Sequence, residues 1–213
     1  MAPVRDMAKV EPGESLRAGL RAATMAAHDL LDHAMQAASG WQTRADYARF
    51  LALQHAARVP LEAWLLANAP ADLVPPAQTP LLARDLAALG VALPPSSPPF
   101  DPLQTLSKPP SAGAFHVKHA CVGAAWVLAG SALGNKAIAK QVARIGGGEW
   151  PVAFLGDDMM MAFWQGLRAR IERPAAPEEA EGATRAAEAV FAHFLAIAEH
   201  GEVAGSAAEN LPA

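Results

Sequence analysis

The chain has 213 residues, 52% of them apolar, with a formal charge of −4, one cysteine and one tyrosine. That length suits a single domain with a substantial core, and the mild acidity leaves no electrostatic footprint for nucleic acid or an anionic membrane. Alanine and leucine dominate, β-branched enrichment is absent, and an all-α fold is expected. A lone Cys121 forms no internal disulfide and fits a reducing cytoplasm. Asp6 and Glu11 interrupt the N-terminus, which does not read as a signal peptide, and no stretch reads as a membrane span.

Residues 1–13 read as a flexible lead-in ending in Pro12-Gly13, followed by a domain over 14–200. Ser15 is placed to cap a first helix that runs to about Ala38 and stops at Gly40. Its apolar side is Leu20, Thr24, Ala27 and Leu31, and His28 falls on that side where a structural helix prefers leucine. Arg21 lies two turns before His28, roughly 10 Å along the axis at about 1.5 Å per residue. Asp32 lies one turn after it, within reach of an imidazole proton. A cation, a histidine and a carboxylate are thus expected in a row, facing inward.

Thr43 and Asp46 form a capping box for a second helix carrying Tyr47, Phe50, Leu51, His55, Leu61 and Trp64. Pro60 is expected to kink it. His55 reads first as a histidine satisfied at the core's edge, and second as a ligand. Residues 70–110 hold eleven of the eighteen prolines. Only the run from Pro80 to Gly90 reads as a helix there, the rest being a long surface excursion within one domain.

The next helix is expected from near Ser111–Ala114 and carries His116, His119, Cys121 and Trp126. Gly123, Gly130 and Gly134 share one of its faces, and each costs about 1 kcal/mol relative to alanine inside a helix. Two explanations stand: a flat ligand approaching bare backbone, or close packing of a second helix. Gly146-Gly147-Gly148 lacks the Lys-Ser/Thr of a phosphate loop. Asp157 or Asp158 caps a helix from Met159 to about Ile171, in which Met159-Met160-Met161 reads as core filling, and Arg168 and Arg170 as surface charges or anion ligands. A last amphipathic helix from Glu178 to His200 turns Ala187, Val190, Phe191, Phe194, Leu195 and Ala198 inward, and residues 201–213 read as a disordered tail.

A histidine steadied by a carboxylate is the usual proximal arrangement at haem iron, and haem propionates seek arginine at a distance from the iron that suits Arg21. A glycine-lined helix leaves room on the opposite side for oxygen. These features describe haem held between two helices.

The chain also resembles the haem oxygenases, in particular the bacterial branch often encoded beside phytochrome photoreceptors, over about residues 15–200. The resemblance rests on Leu20-Arg21-Ala22-Ala23-Thr24-Met25-Ala26-Ala27-His28, on the Leu81-to-Gly90 helix, and on Gly123-Ala124-Ala125-Trp126-Val127-Leu128-Ala129-Gly130-Ser131-Ala132-Leu133-Gly134. It is continued by Phe154-Leu155 and the Trp164 helix. It implies a helical bundle with haem between a proximal and a kinked distal helix. His28 is then the axial ligand, Asp32 its orienting carboxylate, and Arg21, Thr24 and Arg168 haem contacts. Gly130 and Gly134 are the distal backbone contacts, with Ser131 and Asn135 beside them where the family commonly has aspartate and glycine. The activity implied is oxidative cleavage of haem to biliverdin, carbon monoxide and ferrous iron. It takes oxygen and electrons from a ferredoxin or reductase, in the cytoplasm, with a phytochrome as biliverdin acceptor. The departures at Ser131 and Asn135 motivate the alternative of a non-catalytic haem-binding sensor or signalling protein of the same fold. A di-iron or thiaminase-like protein is a second rival, but Glu-x-x-His is absent and His116 and His119 have no acidic neighbour in sequence.

Overall fold

The computed structural model describes residues 14–102 and 116–209, with side chains described as far as residue 200. The lead-in over 1–13 and the expected helix start at Ser111–Ala114 lie outside the described residues. Six α-helices and one short 3₁₀ turn, with no strand, make up the described residues: an all-α protein.

Helix α1 is Leu16–Ala38. The Ser15 hydroxyl accepts the Ala18 N–H at 3.2 Å, and Gly40 turns the chain away at φ +62°. Helix α2 is Arg44–Asn68. Its capping box is complete: the Asp46 N–H donates to Thr43 Oγ1 at 3.1 Å and the Thr43 N–H to Asp46 Oδ2 at 3.0 Å. It continues as one helix through Pro60, which is buried together with Leu61 and Leu65.

Helix α3 is Thr79–Ala88. The Glu62 carboxylate receives its first N–H groups, from Gln78 at 2.9 Å and Thr79 at 3.3 Å. A negative charge on the helix's electropositive end satisfies both charge and donors. Helix α4 is Val117–Ile145 and runs unbroken through Gly123, Gly130 and Gly134. By length and composition it is apolar enough to cross a membrane, which the sequence reading missed; half of its most apolar window is buried in the bundle.

The loop after α4 is tied to both neighbours. Tyr47 donates its hydroxyl to the Pro151 carbonyl at 2.8 Å and stacks on Trp150. Asp85 of α3 accepts the N–H groups of Ala153 at 3.0 Å and Phe154 at 2.9 Å. Helix α5, Asp158–Ile171, is capped by Asp157, which accepts from Met159 and Met160. Of the methionine trio Met160 is buried, while Met159 is exposed.

Helix α6 is Pro177–Glu209, longer than expected. Its backbone is helical through 201–209, and residues 210–213 lie outside the described residues. Alanines at 204, 207 and 208 with no proline before Pro212 favour continuation over the stop read from Gly201. Helix α6 is the spine: α1 and α4 both lie along it, α2 also touches it, α5 packs on α4 and α3 on α2. Leu31 and Ile197 touch both apolar clusters of the core, one around Leu20, Leu128, Trp164 and Phe194, the other around Tyr47, Leu82, Phe154 and Ala198.

Candidate functional site

On α1 the centre of the buried stripe is Thr24, 1% exposed, its hydroxyl donating to the Leu20 carbonyl at 2.8 Å. Thr24 is therefore a core residue here and offers nothing to a ligand. His28 is four residues on, about 40° round the helix. That small rotation carries it out of the interior: its side chain is 60% exposed, and that of Asp32 is 69% exposed. The expectation that the set faces inward is corrected. The stripe itself is filled by α6, and His28 meets Phe191 only edge-on, with ring centroids 6.0 Å apart.

The local chemistry of the set is nonetheless in place. His28 Nδ1 is 3.3 Å from Asp32 Oδ2. The two atoms are in contact without the alignment of a hydrogen bond, and Nε2 has no hydrogen-bond partner among the described residues. Arg21 is exposed on the same flank and makes no ion pair with another described residue. His33, five residues after His28, receives a different role: Nδ1 contacts its own helix at the Asp29 carbonyl at 2.6 Å, on the far side of α1.

The three α4 glycines divide. A Cβ on Gly123 would stand 1.9 Å from the Ala183 carbonyl oxygen of α6, so helix packing alone requires glycine there. A Cβ on Gly130 would meet only the Trp164 ring at 3.8 Å, and one on Gly134 would meet nothing within 4 Å. Packing does not explain these two. Asn135 is 9% exposed and so turned into the protein, off the face that Gly134 opens to solvent.

Ser131 is also turned away from that face. Its hydroxyl donates to the Leu128 carbonyl at 2.7 Å and accepts from Arg58 Nη2 at 2.9 Å. Arg58 is 1% exposed, lies over the Phe154 ring at 5.1 Å, and donates from Nε to Gln54 at 3.3 Å. Its Nη1 is buried and has no partner. Burial lowers the guanidinium to about 10, with nearby Glu62 opposing the shift, so it stays charged at neutral pH. Sequence reasoning passed over Arg58, although it stands on the inward stripe with Leu51, Leu61 and Leu65.

Arg168 is exposed and lines an open groove of about 410 Å³ with Gln165, Ala169 and Glu172. Glu172 accepts from Ser15 at 2.9 Å and pairs with Arg17, and these two partners hold its carboxyl below the usual range. Arg17 is one turn before Arg21, so Arg168 and Arg21 belong to the same end of the molecule. No hydrogen bond, ion pair or ring contact joins the His28 set to residues 130–135 among the described residues; the two sets stand on the two helices that flank α6.

The remaining histidines are held otherwise. His55 is half-buried with Nδ1 lacking a partner, so it is not the fully satisfied core histidine expected; burial lowers its pKa. His193, which the sequence reading did not consider, contacts the Ala57 carbonyl through Nε2 at 3.0 Å. His116 and His119 lie ring to ring at 5.3 Å, with His119 Nδ1 buried and unpartnered. Burial pushes the Cys121 thiol up to about 11, which keeps it protonated and unsuited to thiolate ligation. Among the described residues, no three His, Cys, Asp or Glu side chains are grouped to hold a metal ion. A single histidine suits a metal whose other ligands come with a macrocycle.

No protein-family model matches the chain, and no curated protein is significantly similar to it.

Proposed function

We propose that the protein is a haem oxygenase: it binds haem at His28 and cleaves it to biliverdin, carbon monoxide and ferrous iron. The observation that carries this reading is Gly134, with Gly130 one turn before it. Both are helix-interior glycines in a chain rich in alanine; Gly134 is exposed with no neighbour for a methyl group, and half-buried Gly130 would bring a methyl only into ordinary contact with the Trp164 ring. A flat ligand lying against that backbone gives them a purpose.

The donor set fits the same ligand. His28 offers Nε2 to iron, and Asp32 orients the ring through Nδ1. Arg21, exposed and two turns away, suits a propionate, with Arg168 as a second cation at that end. Thr24 is withdrawn from the contact set, and Ser131 and Asn135 contribute from behind the glycine face rather than on it. Haem is substrate and cofactor together, and when bound it supplies the iron that activates oxygen. The protein's own part is to bind and orient it and to hold protons near the open face. Electrons come from a ferredoxin or reductase, and a phytochrome is the proposed acceptor of the product. The site is proposed to work in the cytoplasm.

A haem-binding sensor without turnover is the second reading, favoured by one observation: the Ser131 proton is already committed to the Leu128 carbonyl. One experiment separates the two. Haem-loaded protein given oxygen and either ascorbate or ferredoxin with its reductase is expected to lose its Soret band while biliverdin absorbance rises. A band that persists through reduction and re-oxygenation selects the sensor. Failure of haem to give any Soret band with the protein refutes both.

A further inference from the structure

The proline-rich segment after α3 has no part in the haem reading. Residues 91–101 form neither helix nor strand, and residues 92–100 make no backbone-to-backbone hydrogen bond among the described residues. Burial along them repeats every three residues: Pro94 and Ser97 are half-buried and Phe100 is buried, while Pro95, Ser96, Pro98 and Pro99 are exposed. A period of three without internal hydrogen bonds is that of polyproline II, which the fixed φ of proline favours. Both ends of the segment are tied down. The Val91 N–H donates to the Leu86 carbonyl at 2.9 Å. Phe100 lies edge-on to Trp64 and His193, with ring centroids 5.7 and 5.5 Å away.

Such a helix has three edges, and that of Pro94, Ser97 and Phe100 faces the protein. The other two, Ala92-Pro95-Pro98 and Leu93-Ser96-Pro99, face solvent and are apolar except for the serine. Pro95 and Pro98 stand about 9 Å apart on one edge, at about 3.1 Å per residue. No residue from 91 to 100 is charged. We propose that this strap is a docking ridge for a partner protein with an uncharged, aromatic-lined groove of the kind that reads polyproline II. Aromatic faces pack on the exposed pyrrolidine rings, and indole or phenol donors reach backbone carbonyls that no other backbone group uses. Because both ends are already held, little ordering cost remains on binding. The lack of charge on the ridge makes the contact insensitive to salt. The proposal stands apart from the haem reading and survives or fails without it.

The test titrates the whole chain, and separately a synthetic peptide of residues 91–101, into isolated SH3 and WW domains at low and high salt. At least one domain is expected to bind the whole chain with an affinity that salt leaves unchanged, about tenfold tighter than it binds the free-ended peptide. The double substitution Pro95→Ala, Pro98→Ala is expected to weaken binding at least about tenfold, and Ser97→Ala, on the inward edge, to leave it as it is. Both prolines are exposed, so the double variant remains folded, which its thermal melt checks. Four results each overturn the proposal: no domain binds the whole chain; the peptide binds while the whole chain does not; the whole chain binds no more tightly than the peptide; or the folded double variant binds like wild type.

Discussion

Gly123→Ala is expected to destabilise the protein by about 3 kcal/mol, whereas Gly134→Ala is expected to stabilise it by up to about 1 kcal/mol. The two glycines lie on one face of the same helix, and only their surroundings differ. At position 123 the new methyl would be driven against the Ala183 carbonyl, a backbone atom in a packed helix that cannot swing aside. Helices α4 and α6 must separate, and their joint core loosens with them. At position 134 the methyl enters open space, and the gain is the ordinary helical preference for alanine over glycine. The same Gly134→Ala change is expected to weaken haem binding at least several-fold, because the methyl occupies the face the ligand needs. Denaturant melts of the apoprotein and Soret titrations, run side by side, check the pair. A Gly134→Ala variant that is more stable and binds haem as well as wild type removes the ligand explanation for that glycine.

The second large effect belongs to Asp85. Asp85→Ala is expected to cost about 3 kcal/mol, since it strands the Ala153 and Phe154 N–H groups in the interior and cuts α3 from the loop that carries Phe154. That loop also supports Arg58, whose guanidinium lies on the Phe154 ring, so the damage should spread to the α2–α4 contact. Burial raises the Asp85 carboxyl, and the two N–H bonds and Arg84 only partly offset it. The sign follows directly. A carboxyl raised in the folded state binds its proton more readily there than in the unfolded chain, so its contribution grows as pH falls and is lost as pH rises through the raised value. Asp85→Asn cannot titrate. Relative to that variant, wild type should therefore gain stability as the pH is lowered from neutrality toward the ordinary aspartate range. A stability difference independent of pH contradicts the assignment.

Local signals carried most of the fold. Ser15, Thr43 with Asp46, Gly40 and Gly90 mark helix ends through short-range hydrogen bonds and backbone geometry, and each operates where the sequence places it. Periodicity also found the inward side of α6 through Ala187, Val190, Phe191, Phe194 and Ala198. What periodicity lacks is the identity of the neighbour. A 40° offset separates buried Thr24 from exposed His28, and only the seating of α6 decides which side of the edge each falls on. The glycines posed the same problem: packing and ligand access give one pattern in sequence, and Ala183 distinguishes them. Arg58 went unnoticed because arginine is a good helix former on any face, and its burial depends on Ser131 and Phe154, both far along the chain.

The proposed role of His28 as the protein's hold on haem iron is tested most directly by the absorbance spectrum of haem-reconstituted wild type beside His28→Ala. The side chain is largely exposed, so the variant should melt with the wild-type protein while haem affinity falls by at least about a hundredfold. Added imidazole should restore the ligated Soret band. A folded His28→Ala variant whose Soret band and haem affinity match wild type contradicts the assignment.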